Sequence, residues 1–357
     1  MARVTIVGSG FMGSALAWPL SDNGHQVRLV GTHLDAGIIS SCLENGFHPK
    51  LRRQLPANVQ PCSVEQLGEA LAGADLIVSG VNSLGVHWIG RALGPHLWPG
   101  ASVIAVTKGL EARPDGNPSI LPDILAAELP ASLRGRVSLA AIAGPCIAGE
   151  LAGRRPTCVV FASRDESLLN RARGLFRTDY YHIWLSTDIA GVEACAALKN
   201  AYTLAVGLAG GILEQTGGAD EADAGMHNLA AALFGASARE MKRIVGLMGG
   251  NPENVPGLPG VGDQYVTCMG GRTIRMGRLL GRGLTYPEAL KEMAGETLEG
   301  IYVVQQLARA VPVWEAGGGL GEDELPLLRL LIRVVTGNAP VRIPFESLFG
   351  QTPGPPV

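Results

Sequence analysis

The chain is short of paired cysteines, aromatic residues and net charge, and each shortage closes off a class of function. Its six cysteines, Cys42, Cys62, Cys146, Cys158, Cys195 and Cys268, form no CxxC pair and no cysteine–histidine group at ligand spacing. Neither a disulfide framework nor a metal site is therefore indicated, and a reducing cytoplasm fits best. A formal charge of −3 on 357 residues offers no field that would gather nucleic acid or an anionic membrane surface. The first strand-like run begins at Arg3, which leaves no room for a signal peptide. The apolar stretches are broken by glycine, proline or charge short of a membrane span, so no membrane insertion is expected. The partners left are small molecules.

What the chain has is glycine and small apolar residues: 49 glycines and 46% hydrophobic residues, a composition suited to close packing of helices and sheet. Its length suggests two domains. Strand-like runs at 3–7, 26–30, 75–81, 102–106, 137–142, 157–162 and 182–185 are interleaved with helical or loop segments, which predicts a Rossmann-like, doubly wound, mainly parallel sheet. After Ser186 the pattern turns to long apolar helical stretches near 189–213, 226–247, 274–280, 286–294 and 298–309, so the C-terminal domain is expected to be all-helical. The expected division is a dinucleotide-binding domain at 1–186, a helical substrate-binding and catalytic domain at 187–350, and a disordered tail at 351–357. Thr187 or Asp188 can cap the first of the long helices.

Gly8-Ser9-Gly10-Phe11-Met12-Gly13 follows the first strand directly and opens a helix. Glycines in this pattern permit a tight turn, backbone approach to a pyrophosphate and close packing of helix on strand, so the turn reads as a dinucleotide site. No acidic residue stands at Val30, Gly31, Thr32 or His33, where a carboxylate would bind the adenosine ribose of NAD. Asp35 lies further on and reads as the N-cap of the segment Ala36–Leu43. Thr32 and His33 can accommodate a 2′-phosphate, although no arginine stands with them, and the reading leans to NADP over NAD.

Lys199 and Asn200 end the run Gly191-Val192-Glu193-Ala194-Cys195-Ala196-Ala197-Leu198, which reads as a buried helix. A lysine there either snorkels to solvent along its stem or is paired and used in proton transfer. Thr107-Lys108-Gly109 and Gly144-Pro145-Cys146 each follow a strand end, on the edge where open sheets bind ligands. Gly260-Val261-Gly262-Asp263 precedes Thr267-Cys268-Met269-Gly270-Gly271-Arg272-Thr273, a glycine-dense loop suited to a phosphate group. Two bland readings stand beside this one: Arg272 as part of a solvated face with Arg275, Arg278 and Arg282, and Asp263 as an ordinary turn residue. His182 and His227 lie in apolar or helical contexts and read as structural.

Taken in order, the glycine turn, Thr107-Lys108-Gly109-Leu110, Ala143-Gly144-Pro145-Cys146-Ile147-Ala148, Gly191-Val192-Glu193 leading to Leu198-Lys199-Asn200, Gly262-Asp263, Gly270-Gly271-Arg272 and Glu299-Gly300 make the chain resemble NAD(P)-dependent glycerol-3-phosphate dehydrogenase over nearly its whole length. The spacings look most like the archaeal-type members. The resemblance implies that Lys199 is the general acid and base on dihydroxyacetone phosphate, with Lys108 and Asp263 beside it. It implies a substrate lining of Lys108, Gly144, Cys146, Asn200, Thr267, Gly271, Arg272 and Thr273, with Arg272 on the phosphate. It places the cofactor on Gly8, Ser9, Gly10, Phe11, Met12, Gly13, Thr32, Lys108, Ala148, Arg272, Thr297 and Glu299. It also implies a role in phospholipid metabolism, and a homodimer is the default assembly. The chain departs from the family at Thr273, where asparagine is usual, and at Cys146, where serine or threonine is common. A related reductase acting on another phosphorylated or phosphonylated hydroxyketone, a ketopantoate-reductase-like or 3-hydroxyacid-dehydrogenase-like enzyme, and a non-catalytic dinucleotide sensor remain alternatives.

Overall fold

The alternating apolar runs of the first half form one eight-stranded sheet in the computed structural model, which describes residues 1–219 and 223–350. The expected tail, 351–357, lies outside the described residues. In chain order the strands are β1 (Arg3–Val7), β2 (Gln26–Val30), β3 (Phe47–His48), β4 (Arg53–Gln54), β5 (Val59–Cys62), β6 (Leu76–Ser79), β7 (Ser102–Ala105), β8 (Leu110–Ala112), β9 (Pro118–Ile120), β10 (Ser138–Ala143), β11 (Thr157–Ser163) and β12 (Tyr181–Ser186). The large sheet runs β12-β11-β10-β7-β6-β1-β2-β5, parallel throughout except at the β10–β11 pair. Val4 and Ile6 of β1 join one apolar cluster and Val7 the other, so both faces of the sheet are buried. That is why its strands read as continuous apolar runs rather than as alternating ones.

Two features differ from the sequence expectation. The edge strand β5 contains Pro61, which interrupts the strand signal but is tolerated at an edge where no ladder hydrogen bond is needed. The hairpin pairs β3–β4 and β8–β9 are two or three residues per strand, too short for a periodic signal.

Contacts divide the chain into two compact units. The first takes Met1–Lys108 and Ile120–Glu193, and the second takes Gly109–Ser119 and the chain from Ala194 onward. The second unit is built from helices, with strand β8 added; Ala112 N–H, at the end of β8, donates to Gln306 Oε1 at 3.0 Å. Its central element is the 27-residue helix Ile189–Gln215, whose start is capped by Asp188 Oδ1 accepting from Gly191 N–H at 2.9 Å. By length and composition this helix could cross a membrane, but 83% of its most apolar window is buried inside the protein. It is a core helix. Glycines let a second helix, Arg272–Gly281, approach it backbone to backbone: a Cβ at Gly207 would fall 2.5 Å from the carbonyl oxygen of Ile274 and 3.0 Å from Cα of Gly277.

Candidate active site

In the first unit candidate residues follow the C-terminal ends of β10, β7, β1 and β2, parallel strands of one sheet in which β6 lies between β7 and β1. The turn after β1 is held by main-chain packing. Gly8 has φ +109°, its N–H donates to Val30 O at 2.8 Å, and a Cβ on it would lie 2.7 Å from the carbonyl carbon of Gly80 beyond β6. A Cβ on Gly13 would strike Gly8 O and lie 3.1 Å from Cα of Gly80. Gly10, in contrast, has nothing nearer than 3.9 Å in that direction. The first and third glycines thus serve the fold, and the second keeps the backbone open to a ligand. Ser9 Oγ is buried and has no hydrogen-bond partner among the described residues. An open turn with a buried hydroxyl to satisfy fits a dinucleotide pyrophosphate. Phe11 is exposed and Met12 packs against the sheet core.

Two side chains brace this turn, and sequence reasoning assigned neither of them to it. Asp35 precedes helix Ala36–Asn45 but does not cap it, which corrects the expectation; its Oδ2 accepts from Ser9 N–H at 3.2 Å, Thr32 N–H at 3.1 Å and Thr32 Oγ1 at 2.8 Å. Two main-chain donors and a hydroxyl outcompete the helix end for a carboxylate that is nearly fully buried. His48 is fully buried at the end of β3. Its Nδ1 accepts from Leu51 N–H at 3.1 Å, which leaves the proton on Nε2 to donate to Ser9 O at 3.1 Å and Ser14 Oγ at 2.9 Å. Burial lowers its pKa and so favours that neutral form. Only the chain separation of 39 residues between Ser9 and His48 hid this contact from the sequence.

Further along the edge, Thr107 Oγ1 donates to Val81 O at 2.7 Å, and Lys108 Nζ donates to Gly144 O at 3.0 Å across the ends of β7 and β10. Gly144 has φ +113°, a conformation that excludes most side chains. Cys146 is half-buried against the core, and Ala148 is buried at the start of helix Ala148–Ala152.

The second unit holds a different arrangement. Lys199 is 6% exposed and does not snorkel; its Nζ lies 3.0 Å from Asp263 Oδ1 and donates to Thr267 Oγ1 at 2.7 Å. Thr267 Oγ1 in turn donates to Asp263 O at 2.7 Å. Asp263 is 3% exposed, which removes the reading of it as a surface turn residue. It begins helix Asp263–Cys268 directly after a π-helical segment, Leu258–Gly262, a distortion of the kind found at functional sites. Asn200 Nδ2 is buried with no hydrogen-bond partner among the described residues, a donor that a polar ligand would satisfy. Gly300, at the start of helix Glu299–Ala316, packs so closely that a Cβ on it would lie 2.5 Å from Asn200 O and 2.8 Å from Thr273 Cγ2. Thr297 and Glu299, half-buried, flank that contact.

The arginines of helix Arg272–Gly281 and of its C-cap, Arg282, separate into two groups. Arg275 pairs with Glu296 at 3.0 Å, Arg278 with Glu214, and Arg282 with Glu292 at 3.2 Å. Arg272 has no ion-pair partner among the described residues and stands exposed in the first helical turn, after Gly271 at φ +98°. An unpaired guanidinium beside the N–H groups of a helix start suits an anion. His182 and His227 are both exposed, His182 on β12 and His227 at the start of helix His227–Leu247, the helical context expected of it.

Comparison with known proteins points to one family. The family model described as the N-terminus of NAD-dependent glycerol-3-phosphate dehydrogenase matches residues 3–169, and the C-terminal one matches 188–346. An NADP(+)-dependent glycerol-3-phosphate dehydrogenase of Archaeoglobus fulgidus is 34% identical over 93% of this chain and 94% of its own. The glycerol-3-phosphate dehydrogenase [NAD(P)+] of Bacillus subtilis is 31% identical over 98% and 95%. The crystal structure of glycerol-3-phosphate dehydrogenase from Coxiella burnetii superposes with a TM-score of 0.78 at 26% identity, covering 97% of each chain. A ketopantoate reductase from Ralstonia eutropha, at 15% identity and a TM-score of 0.54, shares the fold alone. With relatives above 30% identity along almost its full length, the chain belongs to the NAD(P)-dependent glycerol-3-phosphate dehydrogenase family.

Proposed function

We propose that this chain interconverts sn-glycerol 3-phosphate and dihydroxyacetone phosphate, with Lys199 as the general acid and base. The observation that carries the residue assignment is the buried group in which Lys199 Nζ meets Asp263 and Thr267. When bound, NAD(P)H supplies the hydride for reduction of the ketone, and NAD(P)+ accepts it in the reverse direction. Lys199 donates its proton to the carbonyl oxygen as negative charge builds there, and takes it back in the reverse direction. Asp263 holds the ammonium in place by charge, and Thr267 fixes its direction by accepting one of its three protons. Arg272 and the free amide of Asn200 bind the substrate phosphate and hydroxyl groups. Lys108 contributes a second positive charge from the sheet edge, anchored on Gly144. Gly8 to Gly13, Thr32, Lys108, Ala148, Arg272, Thr297 and Glu299 make up the proposed cofactor contacts.

The lean to NADP over NAD is kept as part of this proposal. Asp35 Oδ2 already takes three donors within the protein, which supports a role in bracing the turn rather than in binding a ribose. The domain division at 186/187, a homodimeric assembly and a cytoplasmic location are proposed with it. The test is oxidation of NADPH and of NADH by the purified protein with dihydroxyacetone phosphate. Turnover with the lower KM for NADPH is expected; no turnover with either cofactor would overturn the substrate assignment.

A further inference from the structure

Gln264 follows Asp263 directly in the chain, and the roles above leave it unused. It is fully buried in the second unit, where its Nε2 donates to Ser237 Oγ at 2.7 Å, on helix His227–Leu247. Ser237 Oγ donates in turn to Phe234 O at 2.6 Å, so the hydroxyl has only lone pairs left to offer and Gln264 presents its NH2 group. The remaining amide oxygen, Oε1, is buried without a hydrogen-bond partner among the described residues. A buried carbonyl without a donor costs stability, and leucine would fill the same space without that cost. A side chain kept on such terms needs a reason beyond packing.

The helix that carries it supplies the reason. Asp263–Cys268 is six residues long and starts from the π-helical segment Leu258–Gly262, so it has little stability of its own. Successive residues lie about 100° apart round a helix, and residues four apart share a face. Asp263 and Thr267 face Lys199 Nζ, at 3.0 Å and 2.7 Å. Gln264 and Cys268 make the adjacent face. There Gln264 holds Ser237, and Cys268 Sγ lies 3.8 Å from Thr203 Oγ1, which donates to Lys199 O at 2.7 Å.

We propose that Gln264 is a positioning residue for the reaction: by bonding Ser237 it sets the rotation of the first turn of helix Asp263–Cys268 and so holds the Asp263 carboxylate against Lys199 Nζ. Freed from Ser237, that turn rotates, the carboxylate moves off the line to Nζ, and the proton of Lys199 is no longer aimed at the carbonyl oxygen. Gln264 acts through Asp263 and not on the substrate. The inference rests on the assignment of Lys199 as the general acid and base.

The experiment compares the wild type, Gln264→Leu and Ser237→Ala in steady-state reduction of dihydroxyacetone phosphate, in H2O and in D2O, with thermal unfolding of each. Gln264→Leu removes the bond together with the orphaned oxygen, so its Tm should match or exceed that of the wild type. Its kcat should fall about tenfold, because a small misplacement of a reacting group is costly, while KM for the ketone changes by less than about twofold. The solvent isotope effect on kcat should rise as proton transfer from Lys199 becomes the slower step. Ser237→Ala breaks the same bond from the other side and leaves Nε2 without an acceptor, so it should show the same kcat and isotope effect at a lower Tm. In an Asp263→Asn background, Gln264→Leu should lower kcat no further, since the carboxylate through which it acts is gone. Wild-type kcat and isotope effect in Gln264→Leu, or an undiminished tenfold loss in the Asp263→Asn background, overturns the inference while the dehydrogenase reading stands. A wild type that never reduces the ketone overturns that reading and the role of Lys199 with it.

Discussion

The two units build their candidate sites by different means. In the first, the proposed cofactor turn is main chain: its glycines are packed against Gly80, and Asp35 and His48 brace it from beneath. In the second the candidate site is made of side chains: a lysine, an aspartate and a threonine that meet in a buried group 3.0 Å or less apart. Main chain suits the recognition of a cofactor part that does not change during the reaction. Side chains are needed where a proton moves, because the backbone has no group that titrates near neutral pH.

Separability is the sharpest test of this contrast. Lys199→Ala should lower kcat by about three orders of magnitude, the middle of the range for loss of a general acid, while NADPH binding followed by fluorescence is unchanged. Parallel loss of binding would show that the two functions are not divided as described. Asp263→Asn should come next. It leaves the buried Lys199 ammonium without its carboxylate, so about 3 kcal/mol of stability should be lost in denaturant titration together with most of the activity. A smaller effect of the opposite kind is expected from Gly13→Ala. The added methyl meets Gly8 O and the Gly80 backbone, neither of which can rotate away, so about 2 kcal/mol of stability and more than tenfold in NADPH affinity should go. Any activity left at saturating NADPH should retain the wild-type KM for the ketone.

Thr273→Asn should have the smallest effect. It restores the amide usual in the family beside Arg272, and a fall of a few-fold in KM for dihydroxyacetone phosphate at unchanged kcat is expected, worth about 0.5–1 kcal/mol of uniform binding. Because Thr273 Cγ2 lies against Gly300, the larger side chain must turn outward to fit. A rise in KM would mean that threonine here is matched to a different phosphorylated ketone.

Much of the fold was legible because burial on both faces leaves a strong mark on strands, and glycines imposed by sterics are local to a turn. The strands β1 and β2 and the start of the long helix at Ile189 could be placed to the residue. Asp35 was misread for a physical reason: a carboxylate before a helix is a good cap in isolation, but three better-placed donors compete for it in the folded protein. His48 gave no signal, since a buried histidine contacting a turn 39 residues away looks like any other histidine in a loop.

By itself the sequence determined the strand and helix order, the glycine turn, the family and the identity of Lys199 as the residue to explain, because each depends on neighbours in the chain or on an ordered set of local motifs. Tertiary structure alone decided that Lys199 is paired rather than snorkelled, that Arg272 differs from the three arginines after it, and that Gln264 bonds Ser237. Those facts depend on which groups meet across tens of residues. Lys199 and Thr267 are 68 positions apart, and only packing brings the ammonium and its partners out of water together.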